Sequence, residues 1–397
     1  MSNCWEFKKL GELLLRPLAY GVLKPGPYTV DGIPMIKIQD HQNGRIQFND
    51  LHKIPLSLHR EFKRTELYGG EIVISVVGSI GRTAIIPDDL KGSNVSRAFA
   101  VIGCKKEIDT FFLNHYLSSQ QVQAWLKEQC QGNAQQVLNL GTLKGLEVPI
   151  PPLPEQKKIA EMLSGIDNLI TQKRDLNKKN NLLLKAFLDE LMEGDENWET
   201  VFLSKILLFK NGLNTSKENF GVGTPFVTYK NVYAGGLIKE EDLTECVSLT
   251  PSEEDRFCLK RGDILFTRTS ETPDEIGFNA VYNTSVPAVF NGFCIRGRPL
   301  NDSLLVPEFS SFYFRSNAVL SQMRSLSKYT TRAGISAESL GKVQIMIPPI
   351  NVQEKIANSL SSIKKLIKSV DKSIHSLQHL KQSISQDLLS GCKRVEI

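Results

Sequence analysis

The side chains able to do chemistry in this chain are scattered rather than gathered. The six histidines are His41, His52, His59, His115, His375 and His379. Only His375 and His379 lie one helical turn apart, and two exposed polar positions on a helix explain that spacing as simply as a shared ion. The seven cysteines, Cys4, Cys104, Cys130, Cys246, Cys258, Cys294 and Cys392, form no CxxC pair and are odd in number. They read as thiols of a reducing, cytoplasmic compartment. No phosphate loop and no HExxH zinc motif occurs. There is no Asn-Pro-Pro-aromatic or Asp-Pro-Pro-aromatic tetrapeptide of the kind an amino-methyltransferase uses on a flipped base. Gly78-Ser79-Ile80-Gly81 and Gly221-Val222-Gly223 lack dinucleotide-binding spacing and read as turns. Pro87-Asp88-Asp89-Leu90-Lys91 crowds its carboxylates into one turn, as a solvated loop does. No residue of the chain is expected to be catalytic, to ligate a metal or to hold a cofactor.

What remains is binding. Loops rich in Lys, Arg, Gln, Asn, Ser and Thr sit at the ends of predicted strands. These side chains reach phosphates and base edges, Arg or Lys to guanine and Asn or Gln to adenine. The loops fall into two sets, because the chain contains one plan twice. Ile150-Pro151-Pro152 opens a stretch running to Gly194, and Ile347-Pro348-Pro349 opens its second copy, running to Gly391. The copies align without a gap at a step of 197 residues: Gln156 on Gln353, Lys158 on Lys355, Ile159-Ala160 on Ile356-Ala357, Leu163-Ser164 on Leu360-Ser361. So long a period marks duplication of whole domains, not a solenoid.

The segments before each copy echo one another. Trp5-Glu6 with Leu10 matches Trp198-Glu199 with Leu203. The strand pattern Pro34–Asp40 matches Pro225–Asn231, and Gly69–Ile74 matches Arg261–Phe266. A helix over Thr110–Gln129 is expected from its apolar spacing. The domains are placed at 1–148 and 195–345, with helical regions at 149–194 and 346–397. The loops diverge: Arg268-Thr269-Ser270-Glu271 replaces Val77-Gly78-Ser79, and Tyr329–Arg332 stands where Gly132–Gln135 stood. A rigid scaffold with exchanged loops is the usual carrier of recognition.

Each helical region reads as one long helix of about 35 residues, on the order of 50 Å. In the second, Ile356, Leu360, Ile363, Ile367, Val370, Ile374 and Leu377 follow at alternating steps of four and three, a coiled-coil seam. In the first, Ile159, Leu163 and Ile166 begin the same seam. Lys173, Asn177 and Asn180 then occupy it, and the apolar line is expected to shift to Leu169, Leu176 and Leu183. A helix with one apolar stripe cannot bury it alone. An antiparallel pairing of the two is therefore expected, with the globular domains at opposite ends of the rod.

The fold class is α+β: two similar α/β recognition domains separated by two long antiparallel helices, with pseudo-twofold internal duplication. Composition agrees with a globular protein of two or three domains, 41% apolar and 23% charged. A net charge of +5 is mild for a dedicated nucleic-acid protein. The first residues begin no signal peptide, and no apolar run is long enough to span a membrane.

These features together resemble the specificity subunit of type I restriction–modification systems. The resemblance rests on Val148-Pro149-Ile150-Pro151-Pro152-Leu153-Pro154-Glu155-Gln156-Lys157-Lys158-Ile159-Ala160, on Ile347-Pro348-Pro349 through Ile356-Ala357, and on the order of domains and helices across the whole chain. The second copy departs at Asn351-Val352-Gln353, which lacks the Pro-Glu of the first. The resemblance implies that each domain reads one half of a split, asymmetric site in double-stranded DNA. The helices would set the gap between halves and dock two modification (methyltransferase) subunits. Those partners would hold S-adenosylmethionine, and restriction (motor-nuclease) subunits would bring ATP and magnesium. By position in the matching loops, the expected DNA-binding residues of the first domain are Lys37, Gln39, His41, Arg45, Ser79, Arg82, Asn94, Arg97, Gln135 and Gln136. Those of the second are Lys230, Asn231, Arg268, Ser270, Asn291, Thr330, Thr331 and Arg332. The rival readings are a coiled-coil adaptor that never touches DNA and a self-sufficient enzyme.

Overall fold

The computed structural model describes residues 5–130, 137–193, 198–329 and 331–395. Gln135, Gln136, Gly194 and Thr330 lie outside the described residues. The chain divides into two compact units, Met1–Arg174 with Lys372–Ile397, and Asp175–Asp371.

In the first unit the strand Ile72–Ser75, buried throughout, pairs antiparallel with Thr83–Ile85 and with Phe99–Ile102. Its β-branched residues suit a strand covered on both faces. A second sheet sets Ile33–Ile36 between His52–Ile54 and, in parallel, Asn94–Val95. In the second unit Ile264–Thr267 takes the central role within five strands, flanked by Asn279–Tyr282 and Cys294–Pro299. Phe220–Val227 lies between Glu245–Val247 and, in parallel, Val289–Phe290. The start of each unit's globular part pairs with its end: Glu6–Lys9 with Glu147–Ile150, and Glu199–Phe202 with Gln344–Ile347. Gly21 and Gly212 are needed at equivalent crossings. A Cβ at Gly21 would lie 2.1 Å from the Val95 carbonyl oxygen, and one at Gly212 2.1 Å from that of Asn291.

Several expected elements are shorter than their sequence patterns. The strand expected over Pro34–Asp40 ends at Ile36, and a 3-10 turn covers Ile38–Asp40. The Asp40 carboxylate accepts from the Lys37 amide at 2.7 Å and bends the chain. Asn231 does the same for Thr228 at 2.8 Å, and the helix Tyr229–Ala234 follows. The expected helix Thr110–Gln129 is two, Thr110–Leu117 and Gln120–Glu128, because the Ser119 hydroxyl caps the second. Ser316 caps Asn317–Ser325 in the same way.

The two long helices run over Leu153–Glu193 and Ile350–Leu389. Each is tied to its unit by a buried glutamine. Gln156 Oε1 accepts from the Asp109 amide at 2.7 Å, and its Nε2 donates to the carbonyls of Glu107 and Pro151. Gln353 Oε1 accepts from the Val306 amide at 2.9 Å, and its Nε2 donates to those of Leu304 and Pro348. Both side chains are fully buried. All hydrogen-bonding capacity of the amide but one lone pair is used.

The helices pair antiparallel in each unit. In the first, Ile159, Ala160 and Leu163 share a core with Leu388 and Leu389, and Lys381 reaches Asp167 at 2.7 Å. In the second, Leu184, Phe187 and Leu188 pack on the core containing Ile356, Ala357 and Leu360, and Asn177 donates to Asp371. The second helix keeps the expected seam, buried at Ile356, Leu360, Val370 and Ile374 and half-buried at Ile363, Ile367 and Leu377. The first corrects the expectation. Leu169, Leu176 and Leu183 stand exposed, at 48, 44 and 56%, whereas Ile170 and Asn180 are buried. The seam runs unshifted through Ile159, Leu163, Ile166, Ile170, Lys173, Asn177, Asn180, Leu184 and Phe187. Register is set by the facing helix; Asn177 has a partner across the seam in Asp371, whereas the buried Asn180 amide nitrogen has none among the described residues.

The duplicate positions are not filled alike. His115 of the first unit is buried, 2.9 Å from the Ser164 hydroxyl and 3.9 Å from Asp167. Burial first, then the Lys381 ammonium, push it down to about 4, against the opposing pull of Asp167 and Asp109. The matching position in the second unit is Phe312, with the Lys364 ammonium 5.6 Å from its ring centre. Glu155, 1% exposed, takes two bonds of 2.7 Å from Arg394 and one of 3.3 Å from the Trp5 indole. The Arg394 hydrogen bonds hold its carboxyl below the ordinary 4.5 despite burial. Its counterpart is Val352, packed on the same core as Trp198.

Two predictions follow from these contacts. Replacing Gln353 or Gln156 by Ala strands a buried amide and carbonyls, so denaturant melts should show a loss of roughly 3 kcal/mol. The second concerns acid. His115 stays neutral when folded but binds a proton below about 6.5 when unfolded, so stability falls as pH drops from 6.5 towards 4. Glu155 acts next, its contribution present above 4.5 and lost as pH falls through its lower folded value. Thermal melts from pH 7 to 4 should show His115→Phe with a flatter pH dependence than the parent. An unchanged slope would remove His115 from this account.

Candidate nucleic-acid interface

The strands of each unit end in the loops that were expected to carry recognition. In the first unit Gln39, Arg45, Ser79, Arg82 and Arg97 are exposed and Lys37 is half-buried. Asn43-Gly44 makes a two-residue hairpin turn between His41–Gln42 and Arg45–Ile46, both central residues having positive φ. This stretch is therefore a paired ribbon. It presents Arg45, whose guanidinium donates to Asn168 at 3.2 Å.

Two first-unit candidates are turned inward. His41 is buried, with Nε2 2.9 Å from the Thr83 carbonyl oxygen. Asn94 is fully buried, bonded to the Thr65 hydroxyl, the Phe62 carbonyl and its neighbour's amide. Neither presents a group to a ligand. Polar side chains next to strand ends satisfy their own backbone as readily as they point outward.

The second unit builds more around its loops. Ser75 and Thr267 are equivalent: each hydroxyl donates to a carbonyl across a turn, of Ser79 and of Glu275, and each carbonyl receives Gly81 or Gly277. Between Thr267 and Gly277 the chain is four residues longer than between Ser75 and Gly81. The extra length forms the strand Thr269–Ser270, which pairs with Ala333–Gly334, itself paired with Lys328–Tyr329. Among its described residues the first unit has at that place the isolated bridge of Val77 with Val137.

This small sheet walls a cavity of about 510 Å³. Of the expected residues it brings together Lys230, Ser270 and Arg332. Thr269 and Glu271 of the exchanged loop, with Tyr229, Tyr233, Glu275 and Phe293, which the sequence did not single out, complete it. Tyr229 and Tyr233 stack at 6.0 Å. The Glu275 carboxylate accepts from the Tyr233 hydroxyl at 2.8 Å and the Ser270 hydroxyl at 3.0 Å. Arg315 donates to the carbonyls of Val232 and Tyr233 at the end of the helix Tyr229–Ala234. Asn291, half-buried, accepts from the Phe293 amide at 2.7 Å and so holds the turn that leaves the Phe293 ring 55% exposed. Asn231 spends its oxygen on Thr228 and its amide on the Asp242 carbonyl. Asn231, Asn291 and Ser270 thus shape the site rather than reach from it. Arg268 is half-buried and Thr331 exposed.

A cationic group lies around Phe257 in the same unit. Lys210 and Arg256 stand 5.9 and 5.4 Å from its ring centre. Arg296 is buried, and Arg298 is paired with Asp263 at 2.6 Å. Burial first, then Arg296, Arg256 and Arg298, lower the Lys210 ammonium. Among the described residues no three His, Cys, Asp or Glu side chains converge as a metal site. No described helix is long and apolar enough to cross a membrane.

One α+β scaffold used twice, with different loops on each copy and long helices between, defines a duplicated recognition protein. A sequence model of the type I restriction modification DNA specificity domain matches residues 4–182 and 195–379, and the chain belongs to that family. The EcoBI specificity subunit of Escherichia coli is 36% identical over 186 residues, 44% of this chain and only 39% of that protein. The EcoKI specificity subunit of Escherichia coli K12 is 24% identical over 92% of this chain and 83% of its own. A chain solved in work on complex assembly and conformational transition of the type I R-M system shares the fold, with a TM-score of 0.60 at 19% identity over 98% of both chains. The type I S subunit from M. genitalium gives 0.56 at 17% identity, over 98% of this chain and 97% of that one.

Proposed function

We propose that this chain is the non-catalytic, DNA-reading subunit of a type I restriction–modification complex. Each recognition domain, 1–148 and 195–345, reads one half of a bipartite, asymmetric site in duplex DNA. The helical regions 149–194 and 346–397 set the gap between the halves and dock two methyltransferase subunits. The observation that carries this reading is one buried scaffold built twice with unlike loop surfaces, down to Phe293 where the first domain has Ala98. Two halves of a palindrome would need matching surfaces; two unlike half-sites need unlike ones. Exposed Met162 and Leu169 in the first unit, and Leu176, Leu183 and Leu366 in the second, offer apolar contact for the docked subunits. S-adenosylmethionine belongs to those subunits, ATP and magnesium to restriction subunits, and the complex works on DNA in the cytoplasm. The cations at Lys210 and Arg256 supply phosphate contacts.

Mapping methylated adenines in cells expressing the chain with its modification subunit should reveal one split motif. Exchanging residues 1–148 for those of another family member should change one half and leave the other and the gap intact. Loss of both halves would show that the domains do not read independently. In binding titrations of the assembled complex, Lys210→Ala and Arg256→Ala should weaken all duplexes alike and each lower the salt slope by about one. A selective loss for one sequence would assign them to base reading instead.

A further inference from the structure

The cavity of the second unit carries more than a general recognition surface. Its walls are set in advance. Glu275 anchors Tyr233 and Ser270, the Tyr229 hydroxyl donates to the Thr269 carbonyl at 3.3 Å, and Asn291 fixes the turn before Phe293. Both oxygens of Glu275 are thereby occupied. Glu271 lines the same cavity, is exposed, and has no partner among the described residues. Lys230 and Arg332, also lining it, are likewise unpaired among them.

An unpaired carboxylate is out of place on a surface that meets duplex DNA, because every phosphate repels it. It becomes favourable where it accepts a hydrogen bond from a base. In the major groove the only base donors are the amino groups of cytosine N4 and adenine N6; guanine and thymine present acceptors there. The two neighbouring cations offset the phosphate field around it. The exposed rings of Phe293 and Tyr233 add the apolar contact that base edges and thymine methyl groups take.

Resting on the function proposed above, we infer that this cavity is a base-reading site. Its Glu271 accepts from the amino group of a cytosine or adenine at one position of the second half-site. The site is peculiar to the second domain. The four-residue extension that carries Glu271 is missing from the first domain, and Ala98 leaves no ring where Phe293 stands.

The test is selection of duplexes by the assembled complex from a pool randomised across both half-sites. The parent chain should enrich a split motif with cytosine or adenine at one strand position of the second half. Glu271→Gln, which exchanges one acceptor oxygen for a donor, should reduce that preference by roughly tenfold to a hundredfold and admit guanine or thymine. The first half-site should be unchanged. Phe293→Ala should alter the same or the adjacent position, and Glu241→Gln, an exposed carboxylate elsewhere in the unit, should alter none. Unchanged preference at every position in Glu271→Gln, equal weakening on all duplexes, or an effect confined to the first half-site would each overturn the inference. If the parent itself enriches no split motif, the proposed function fails, and the cavity is not the cause.

Discussion

A buried side-chain amide with three backbone partners fixes the geometry of each unit. Gln156 and Gln353 each sit at the first turn of a long helix and bind the loop leading into a helix of the globular part. A buried amide left unpaired costs on the order of 1–3 kcal/mol, so few other helix positions satisfy all three bonds. The direction in which the helix leaves its domain is thereby set, and the domain's loops are aimed relative to it. The Pro-Pro entry limits the backbone before the amide.

The duplication kept this joint and relaxed almost everything around it. Where the first unit buries an ionisable His115, the second has Phe312. Where the first ties Glu155 to Arg394, the second packs Val352 near Trp198. At these two positions the first unit carries ionisable groups and the second apolar ones. The loop surfaces diverge further still, because no internal packing constrains them.

The duplication, the repeated motif and the antiparallel seam of the second helix were readable from residues alone. Their signal is local periodicity, and burial follows periodicity closely. The first helix misled because a count of leucines cannot see the partner: Leu169, Leu176 and Leu183 are more apolar than Lys173, Asn177 and Asn180, yet the facing helix decides which residues turn inward. Lys230, Ser270 and Arg332, conspicuous in the sequence as charged or hydroxyl residues in loops, do line one cavity. Asn94 and Asn231 were misplaced because an asparagine that caps a turn looks like one that reads a base. Tyr229, Tyr233 and Phe293 escaped notice because aromatic residues beside strands read as core. Glycine and Asn-Gly patterns near residues 43 and 44 did hold the hairpin in plain sight.

The two units also differ in how the ribosome delivers them. The second, Asp175–Asp371, is one uninterrupted stretch of chain, whereas the first is completed only by Lys372–Ile397. Ile159 and Leu163 pack against Leu388 and Leu389, which emerge some 225 residues later. At about 5–20 residues per second, that delay is on the order of ten to forty-five seconds. During it the start of the first long helix rests on its own globular domain and lacks only the cover that Leu388 and Leu389 supply. The unit begun first is thus the one whose chain is completed last.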